Sequence, residues 1–197
     1  MIISDIPQGT PEWLALRAGL PTASNFDKIV TSKGEVSKSR VKYMYQLAGE
    51  SITGVKEDVY QNAIMARGSE MEAEARNLYE LATGKQVQTV GLCYHDSKMY
   101  GCSPDGLIGD GLIEIKCPTL AVHVEYLLNG TLPVAYFQQV QGQLLVTGKD
   151  WCDFVSYYPA MRLLIVRVER DNAFIKILQK ELNAFCDELQ TIIKKLK

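Results

Sequence analysis

Residues 103–116 read Ser-Pro-Asp-Gly-Leu-Ile-Gly-Asp-Gly-Leu-Ile-Glu-Ile-Lys, and the strand and turn pattern of this segment indicates the fold. Two short apolar runs, 107–108 and 112–116, flank a Gly-Asp-Gly turn, a pattern that predicts antiparallel strands. Further β-rich segments precede them at 87–94 and 99–103. The region is therefore predicted to form an antiparallel meander.

Alternation within the last run separates its side chains. Successive residues of a strand point to opposite faces, so Glu114 and Lys116 share one face while Ile113 and Ile115 enter the core from the other. We expect the face that carries the two charges to be exposed. Asp105, predicted at the end of the preceding strand, is folded back beside Glu114 by the turn.

Helical patterns surround this region. Thr10-Pro11-Glu12 is a typical helix start, and a second short helical stretch is predicted over 22–29. Apolar residues recur at helical spacing in five longer segments: 39–53, 61–82, 121–128, 134–146 and from 172 onward. Val41, Met44 and Leu47 are predicted to be buried in the first of these, and Leu78 lies on the apolar stripe of the second. Two more strands are predicted at 151–158 and 163–169. The sum is an α/β fold in which helices flank a central mixed β-sheet.

Length and composition are those of an ordinary globular protein. The 197 residues, 47% hydrophobic and 22% charged, predict one domain over 1–197. No signal peptide and no membrane-spanning run is recognised, so a cytoplasmic location is expected. Five cysteines without a Cys-x-x-Cys pair are interpreted as reduced, mostly buried thiols. His95 and His123 are not paired at metal-ligand spacing and are interpreted as turn or surface residues.

The net charge of −2 argues against a surface that is positive all over and binds nucleic acid without regard to sequence. Basic residues are nevertheless concentrated at 33–42, where Lys33, Lys38, Arg40 and Lys42 lie. That segment fits a local basic surface and a solvated loop equally well.

The carboxylates of Asp105 and Glu114 predict a cation site. Two carboxylates at one point repel each other unless a cation holds them, and ligands that are all oxygen favour Mg²⁺ or Mn²⁺. Lys116 beside such an ion could orient or deprotonate a water molecule and stabilise charge on a phosphate ester. The alternative is a turn at Asp105 and a solvent-facing pair at Glu114 and Lys116.

These residues match a known family. Pro104-Asp105 followed by Glu114-Ile115-Lys116 resembles the PD-(D/E)xK nuclease motif, and Cys-Ser-Pro-Asp-Gly with Glu-Ile-Lys-Cys-Pro is similar to the lambda exonuclease/YqaJ family of phage recombination nucleases. Segments 13–24, 68–76 and 136–141 follow the family's order, so the resemblance covers most of the chain. It implies a restriction-endonuclease-like core.

The resemblance also implies roles at the cutting centre. Asp105, Glu114 and the Ile115 carbonyl would be metal ligands, Glu72 would complete a site for a second ion, and Lys116 with Gln139 would act on the attacking water. Among neighbouring glutamates, the residues alone do not choose Glu72 over Glu70 or Glu74.

DNA contacts are implied in the same way. Arg17, Ser24 and Ser103 would bind the 5′-terminal phosphate, and a guanidinium with two hydroxyls suits that ligand. Trp13 would pack nearby and Met65 would be an apolar wedge between separating strands; both are equally compatible with a core position. Lys33 is a further candidate contact.

The implied activity is a Mg²⁺-dependent 5′-to-3′ exonuclease on double-stranded DNA. It would release mononucleotides and leave a 3′ overhang for a single-strand annealing protein. A homotrimeric ring, encoded by a phage or prophage, would concentrate positive potential in its channel and so accommodate the acidic net charge. Two alternatives remain: a restriction-type sequence-specific endonuclease, and a non-catalytic module that binds DNA or recruits a partner.

Overall fold

A computed structural model of the chain describes residues 1–57 and 63–197, with side chains described for 1–57 and 71–197. The helices are Pro11–Arg17 (α1), Arg40–Thr53 (α2), Ala63–Thr83 (α3), Leu120–Asn129 (α4), Phe137–Thr147 (α5) and Asn172–Leu196 (α6). The strands are Ile2–Ile3 (β1), Cys93–Tyr94 (β2), Gly101–Cys102 (β3), Gly106–Ile108 (β4), Gly111–Lys116 (β5), Trp151–Ser156 (β6) and Leu164–Glu169 (β7). Ala23–Lys28 and Val134–Tyr136 are short 3-10 helices.

The strands form two sheets flanked by helices, which confirms the predicted α/β class. One sheet has the order β1-β2-β3, and the other has the order β4-β5-β6-β7. In the larger sheet β5 and β6 are parallel while the outer pairs are antiparallel, so this sheet is mixed, as predicted.

The predicted single meander is divided between the two sheets. β3 ends at Cys102 and β4 begins at Gly106, so Asp105 lies in the link and not at the end of a strand. Pro104 in this link has no N–H to offer a strand ladder, which is a physical reason for the break. The predicted strand over 87–94 is paired only at its end, apart from an isolated bridge between Gln88 and Leu107.

The central strand β5 is covered on both faces. Ile113 and Ile115 pack with Ala75 and Tyr79 of α3 in one apolar cluster. Leu112, on the face of Glu114, belongs to a larger cluster that includes residues of α2, α5 and α6. The sequence predicted that the charged face of β5 is exposed, and this prediction was wrong. That face is covered, and Glu114 is only 2% exposed.

Helix packing explains where the predicted apolar stripes were wrong. In α2, Met44 and Leu47 are buried as predicted, but Val41 is exposed and Tyr43 is buried in its place. The ring of Tyr43 stacks on Phe185 of α6, with the centroids 5.8 Å apart, because α2 faces that helix. In α3, Leu78 was predicted to be buried and is exposed.

The prediction for the cysteines is confirmed, and the one for His123 is wrong. Four of the five cysteines are buried and Cys117 is half-buried, as expected. His123 was assigned to a turn or the surface, but it is fully buried. Its ring nitrogens lie 2.8 Å from the Ser156 hydroxyl and 3.1 Å from the Arg162 carbonyl, which satisfies a neutral imidazole. Within the described residues, no helix combines the length and apolar character needed to cross a bilayer.

Candidate active site

The turn between β4 and β5 brings Asp105 to the edge of β5. Gly106 pairs with Ile113, and the Asp105 N–H donates to the Ile113 carbonyl at 3.2 Å. The Asp105 carboxylate then accepts a hydrogen bond from the Ile115 N–H at 2.6 Å. Because the N–H and C=O of one strand residue point to the same edge, the Ile115 carbonyl also faces Asp105. Asp105, in the link before β4, is thus adjacent to β5.

Glu114 is held by side chains from β5 and α5. Lys116 contacts its Oε1 atom at 2.5 Å, so these two residues share a face as predicted. Gln139 donates to the same oxygen at 2.6 Å, and Gln143 donates to Oε2 at 2.5 Å. A carboxylate removed from water needs such donors, and α5 supplies two of them.

Glu72 approaches the centre from α3. Its carboxylate accepts from Arg76, one helical turn later, at 2.5 Å. Both residues line a cavity of about 820 Å³ that also contacts Asp105 and Trp13. Burial raises the pKa of Glu72, Arg76 opposes the increase, and the charge of Glu114 adds to it.

The pKa of Asp105 departs strongly from the usual value of an aspartate. Burial, followed by repulsion from Glu114 and Glu72, raises the pKa of the Asp105 carboxyl well above its usual range. The nearby Lys116 and the Ile115 N–H act in the opposite direction but do not outweigh them. A carboxylate pair beside a third acid is costly in this form and would be relieved by a cation.

The residues present fit a hard divalent ion in part. Asp105, Glu114 and the Ile115 carbonyl offer oxygen ligands, which Mg²⁺ and Mn²⁺ prefer. Within residues 1–57 and 71–197, however, no three His, Cys, Asp or Glu side chains are already gathered closely enough to form a metal site. Glu72 would have to leave Arg76 to become a ligand.

A second group of predicted residues surrounds Arg17 at the end of α1. Its Nη2 atom lies 3.2 Å from the Thr22 hydroxyl and 3.4 Å from the Ser24 hydroxyl. Its guanidinium also stacks over the Trp13 ring, 4.2 Å from the centroid. Trp13 is therefore only half-buried and packs on Arg17, with one face reaching the cavity. Burial lowers the pKa of Arg17, yet the group remains charged at neutral pH.

Ser103 lies close to the Arg17 group. Thr22 forms a parallel bridge with Gly101, so the segments that lead to Ser24 and Ser103 leave adjacent points in the same direction. Among the side chains that the structure describes, the Ser103 hydroxyl is buried without a hydrogen-bond partner. It can therefore still donate or accept a hydrogen bond. Only Pro104 separates Ser103 from Asp105 in the sequence.

Positive charge is concentrated on another side of Arg17. A small cavity of about 40 Å³ is lined by Arg17, Lys28 and Lys56 together with the buried Glu50. The Glu50 carboxylate is already engaged by the Gly19 and Glu57 N–H groups. This local surplus of positive charge occurs in a chain whose net charge is −2.

Of the other two predicted DNA contacts, Met65 is outside the described side chains and Lys33 lies in an exposed turn. Met65 lies among residues 58–70, outside the side chains that the structure describes. Lys33 is exposed in the turn between Thr31 and Glu35. The adjacent Gly34 packs near Ile177 of α6.

Sequence reasoning missed two residues that contact the centre. Gln143 binds Glu114, and Arg76 binds Glu72. Spacing could have indicated both, because each lies four positions after a residue assigned to the site and side chains four apart share a helix face. Gln143 follows Gln139, and Arg76 follows Glu72.

The fold and these contacts define a class: an α/β protein with a carboxylate pair and a lysine at the edge of a mixed sheet, next to a helix that supplies amide donors. The sequence profile of the YqaJ-like viral recombinase domain matches residues 12–150. The chain belongs to that family.

Solved structures agree with this assignment. An alkaline exonuclease from Laribacter hongkongensis is 41% identical, with 95% of this chain and 96% of that chain covered and a TM-score of 0.87. A structure of that exonuclease in complex with dAMP matches equally well, with 42% identity. A phage-related exonuclease from Haemophilus somnus shares the fold, with a TM-score of 0.71 at 16% identity over 90% of this chain and 96% of that chain. The two Laribacter structures support a nuclease role, and the Haemophilus structure supports the fold.

A curated relative from a giant virus is more distant. Protein R354 of Acanthamoeba polyphaga mimivirus, described as uncharacterized, is 28% identical over 174 residues, 79% of this chain. The chain spans about 30% of the length of that relative.

Proposed function

We propose that the chain is a divalent-metal-dependent DNA nuclease that acts as one domain over 1–197, with Asp105, Glu114 and Lys116 at its cutting centre. One observation carries the proposal: Asp105 lines a cavity of about 820 Å³, and its pKa is raised by burial and by repulsion from Glu114 and Glu72. Structural carboxylates are normally neutralised by their partners. This one is left in need of a cation.

Each ligand has an assigned position. Asp105, Glu114 and the Ile115 carbonyl would hold the first Mg²⁺ or Mn²⁺ ion, and Glu72 would help to hold a second. When bound, such ions would polarise the phosphodiester and neutralise charge on the leaving oxygen.

Lys116 and Gln139 are assigned to the attacking water. Burial lowers the pKa of Lys116, but Glu114 and Asp105 outweigh burial, so its pKa is above the usual value. A protonated lysine donates hydrogen bonds and positive charge, which favours water orientation and phosphate stabilisation over proton abstraction. The Gln139 amide can both donate to and accept from a water molecule.

The Arg17 group determines direction in this proposal. Arg17 with Ser24 and Ser103 would bind the 5′-terminal phosphate and Trp13 would pack beside it. The enzyme would digest the 5′-ended strand of double-stranded DNA to mononucleotides and leave a 3′ overhang for a single-strand annealing protein. The Laribacter relative is named an alkaline exonuclease, which supports digestion from an end.

The oligomeric state, location and origin of the protein are proposed from the resemblance to the same family. A homotrimeric ring acting in the cytoplasm of a bacterial host, and encoded by a phage or prophage, would hold DNA in a positively charged channel. Met65 and Lys33 stay proposed DNA contacts.

Substrate topology tests the activity. Purified protein with Mg²⁺ is given a 5′-phosphorylated linear duplex or the same sequence as a covalently closed circle, with and without chelator. We expect metal-dependent release of mononucleotides from the linear duplex and none from the circle. Equal cutting of the circle would support a restriction-type endonuclease. Absence of cutting with either substrate would support a non-catalytic module.

End recognition tests the direction. Arg17→Ala should lower digestion of 5′-phosphorylated duplex by about 10- to 100-fold, the value of hydrogen bonds to a charged group. Digestion of a 5′-hydroxyl duplex should change much less. Arg162→Ala, which removes an exposed arginine from the surface, serves as the control. Equal losses on both ends would contradict the phosphate role of Arg17.

A further inference from the structure

The two carboxylate oxygens of Glu114 have different hydrogen-bond partners. Oε1 meets Lys116 and Gln139, both of which are partly accessible to solvent. Oε2 meets Gln143, which is 1% exposed. One oxygen therefore faces partly exposed groups, and the other is bound inside the protein.

Gln143 is unusual among the buried glutamines of α5. Gln138 and Gln141 donate to the backbone carbonyls of Val30 and Glu169, at 3.3 Å and 2.9 Å. Those bonds join α5 to neighbouring segments and are structural. Gln143 donates to the side chain of a proposed metal ligand instead.

The environment of Gln143 gives no better structural reason for an amide. Leu144 and Val140 on either side of it along the helix are fully buried. Among the described side chains, the Oε1 atoms of Gln143 and Gln138 are both buried without a hydrogen-bond partner. What distinguishes Gln143 is therefore the one bond that its NH₂ group makes, which goes to the Glu114 carboxylate and not to a backbone carbonyl.

We infer that Gln143 is a positioning residue that fixes Oε2 of Glu114 and leaves Oε1 as the oxygen available to a metal ion. This inference rests on the proposed function. A carboxylate that is free to rotate must be ordered when an ion binds, whereas one already held by Gln143 is not. Groups that orient a metal ligand from behind are commonly worth 10- to 100-fold in metal affinity or activity.

The test compares three substitutions on one helix. Gln143→Met keeps the length of the side chain and removes the donor. Gln141→Met is the matched control, because Gln141 is equally buried but bonds to Glu169 and Asp171 instead. Gln139→Met removes the donor to Oε1. Mn²⁺ binding without DNA is measured by electron paramagnetic resonance, and digestion of linear duplex is measured across Mg²⁺ concentrations.

For Gln143→Met we expect the Mn²⁺ dissociation constant to rise by about 10- to 100-fold and high Mg²⁺ to recover part of the digestion rate. Gln141→Met should keep wild-type Mn²⁺ affinity. Gln139→Met should lower the rate at saturating Mg²⁺, because its amide is assigned to the water. Wild-type Mn²⁺ affinity in Gln143→Met would overturn the inference, whatever the digestion rate.

Further measurements keep the test decisive. If Gln143→Met does not fold by circular dichroism, Gln143→Asn replaces it: the amide remains but is drawn back by one methylene, and Mn²⁺ affinity should still fall. Unchanged affinity in that variant would equally overturn the inference. If the wild-type protein binds no Mn²⁺, the proposed function itself is wrong. If Asp105→Asn abolishes Mn²⁺ binding and the Gln143 variants do not weaken it, only the positioning role is wrong.

Discussion

Asp105 and Asp153 both lie beside the central sheet, the first half-buried at a cavity and the second buried, and their surroundings shift their pKa values in opposite directions. Asp153 on β6 accepts from Tyr79 at 2.6 Å and is bound by both Arg167 and Lys85. Burial opposes its charge, but the hydrogen bonds from Arg167 and Tyr79 outweigh burial and lower its pKa. Asp105 lies near two further carboxylates, and its pKa is raised.

The difference separates structural from functional carboxylates. Asp153 has the partners that it needs within the fold and lies on the α3 face of the sheet, paired in register with Ile113. Asp105 has the Ile115 N–H as a donor but also like charges nearby. A buried acid whose partners are incomplete indicates a place where a ligand completes the structure.

Asp105→Asn should give the largest effect. The substitution removes a charge that the proposed ion requires while keeping an oxygen that can accept from Ile115. We expect nuclease activity to fall by about 10³-fold or more, because metal stabilisation of a transition state is worth several kcal/mol. Activity on linear duplex with Mg²⁺ is the measurement, and Asp153→Asn is the control. Comparable activity losses in two equally folded variants would remove the distinction between the two aspartates.

Metal binding should raise the free energy of unfolding, and this increase should depend on Asp105 and not on Asp153. At Mg²⁺ concentrations near 100 times the dissociation constant, a ligand that binds only the folded state adds about 2.7 kcal/mol to the free energy of unfolding. We expect this increase in the wild type and in Asp153→Asn, and its loss in Asp105→Asn. Urea denaturation with Mg²⁺ or chelator measures it. Equal Mg²⁺ stabilisation of Asp105→Asn would place the ion elsewhere.

Most of the fold could be predicted because it depends on local patterns. Helices α4 and α6 and strands β6 and β7 follow from apolar spacing and turn residues within each segment. The division of the meander into two sheets could not, because pairing depends on contacts between distant segments. His123 was misplaced for a related reason: its partners Ser156 and Arg162 are more than 30 residues away.

The site could be predicted only as far as its motif extends. Asp105, Glu114 and Lys116 lie within twelve residues, and strand alternation places them together. Glu114 is buried because α5 covers the face of β5 on which Glu114 lies. No local sequence pattern predicts this contact. The Asp153 cluster was missed because Tyr79 and Arg167 come from two other elements and no motif joins them.

In the absence of metal, Asp153→Asn should lower the free energy of unfolding. Removing one member of a buried ion pair leaves the others uncompensated, but Arg167 and Lys85 are partly exposed and screened by solvent. We therefore expect a loss of about 2 kcal/mol in the free energy of unfolding, below the usual cost for a fully buried pair. Asp105→Asn should instead raise this free energy in chelator. A stability loss in both variants would show that Asp105 is structural as well.

The two aspartates should also respond to pH with opposite signs. The lowered pKa of Asp153 means that its stabilisation is present above the unfolded pKa near 3.9 and is lost as pH falls through the folded pKa below it. For Asp105 the folded pKa is raised, so its contribution is lost as pH rises above about 4. Either slope is at most about 1.4 kcal/mol per pH unit. Urea denaturation of each Asn variant in chelator, compared with wild type from pH 3 to 8, should isolate each slope; slopes of equal sign would contradict the comparison.

The smallest effect is expected at the rim of the Asp153 cluster. Lys85 reaches the Asp153 carboxylate at 3.3 Å and is 35% exposed, and its amine also lies over the Trp151 ring. Arg167 stays bidentate when Lys85 is removed, so Lys85→Met should cost about 0.5 kcal/mol in the free energy of unfolding, the scale of a screened pair. Arg167→Met, measured alongside by urea denaturation, should cost several times more because both oxygens lose a donor. If the two losses were equal, Asp153 would depend on total positive charge and not on the guanidinium geometry that makes it a structural carboxylate.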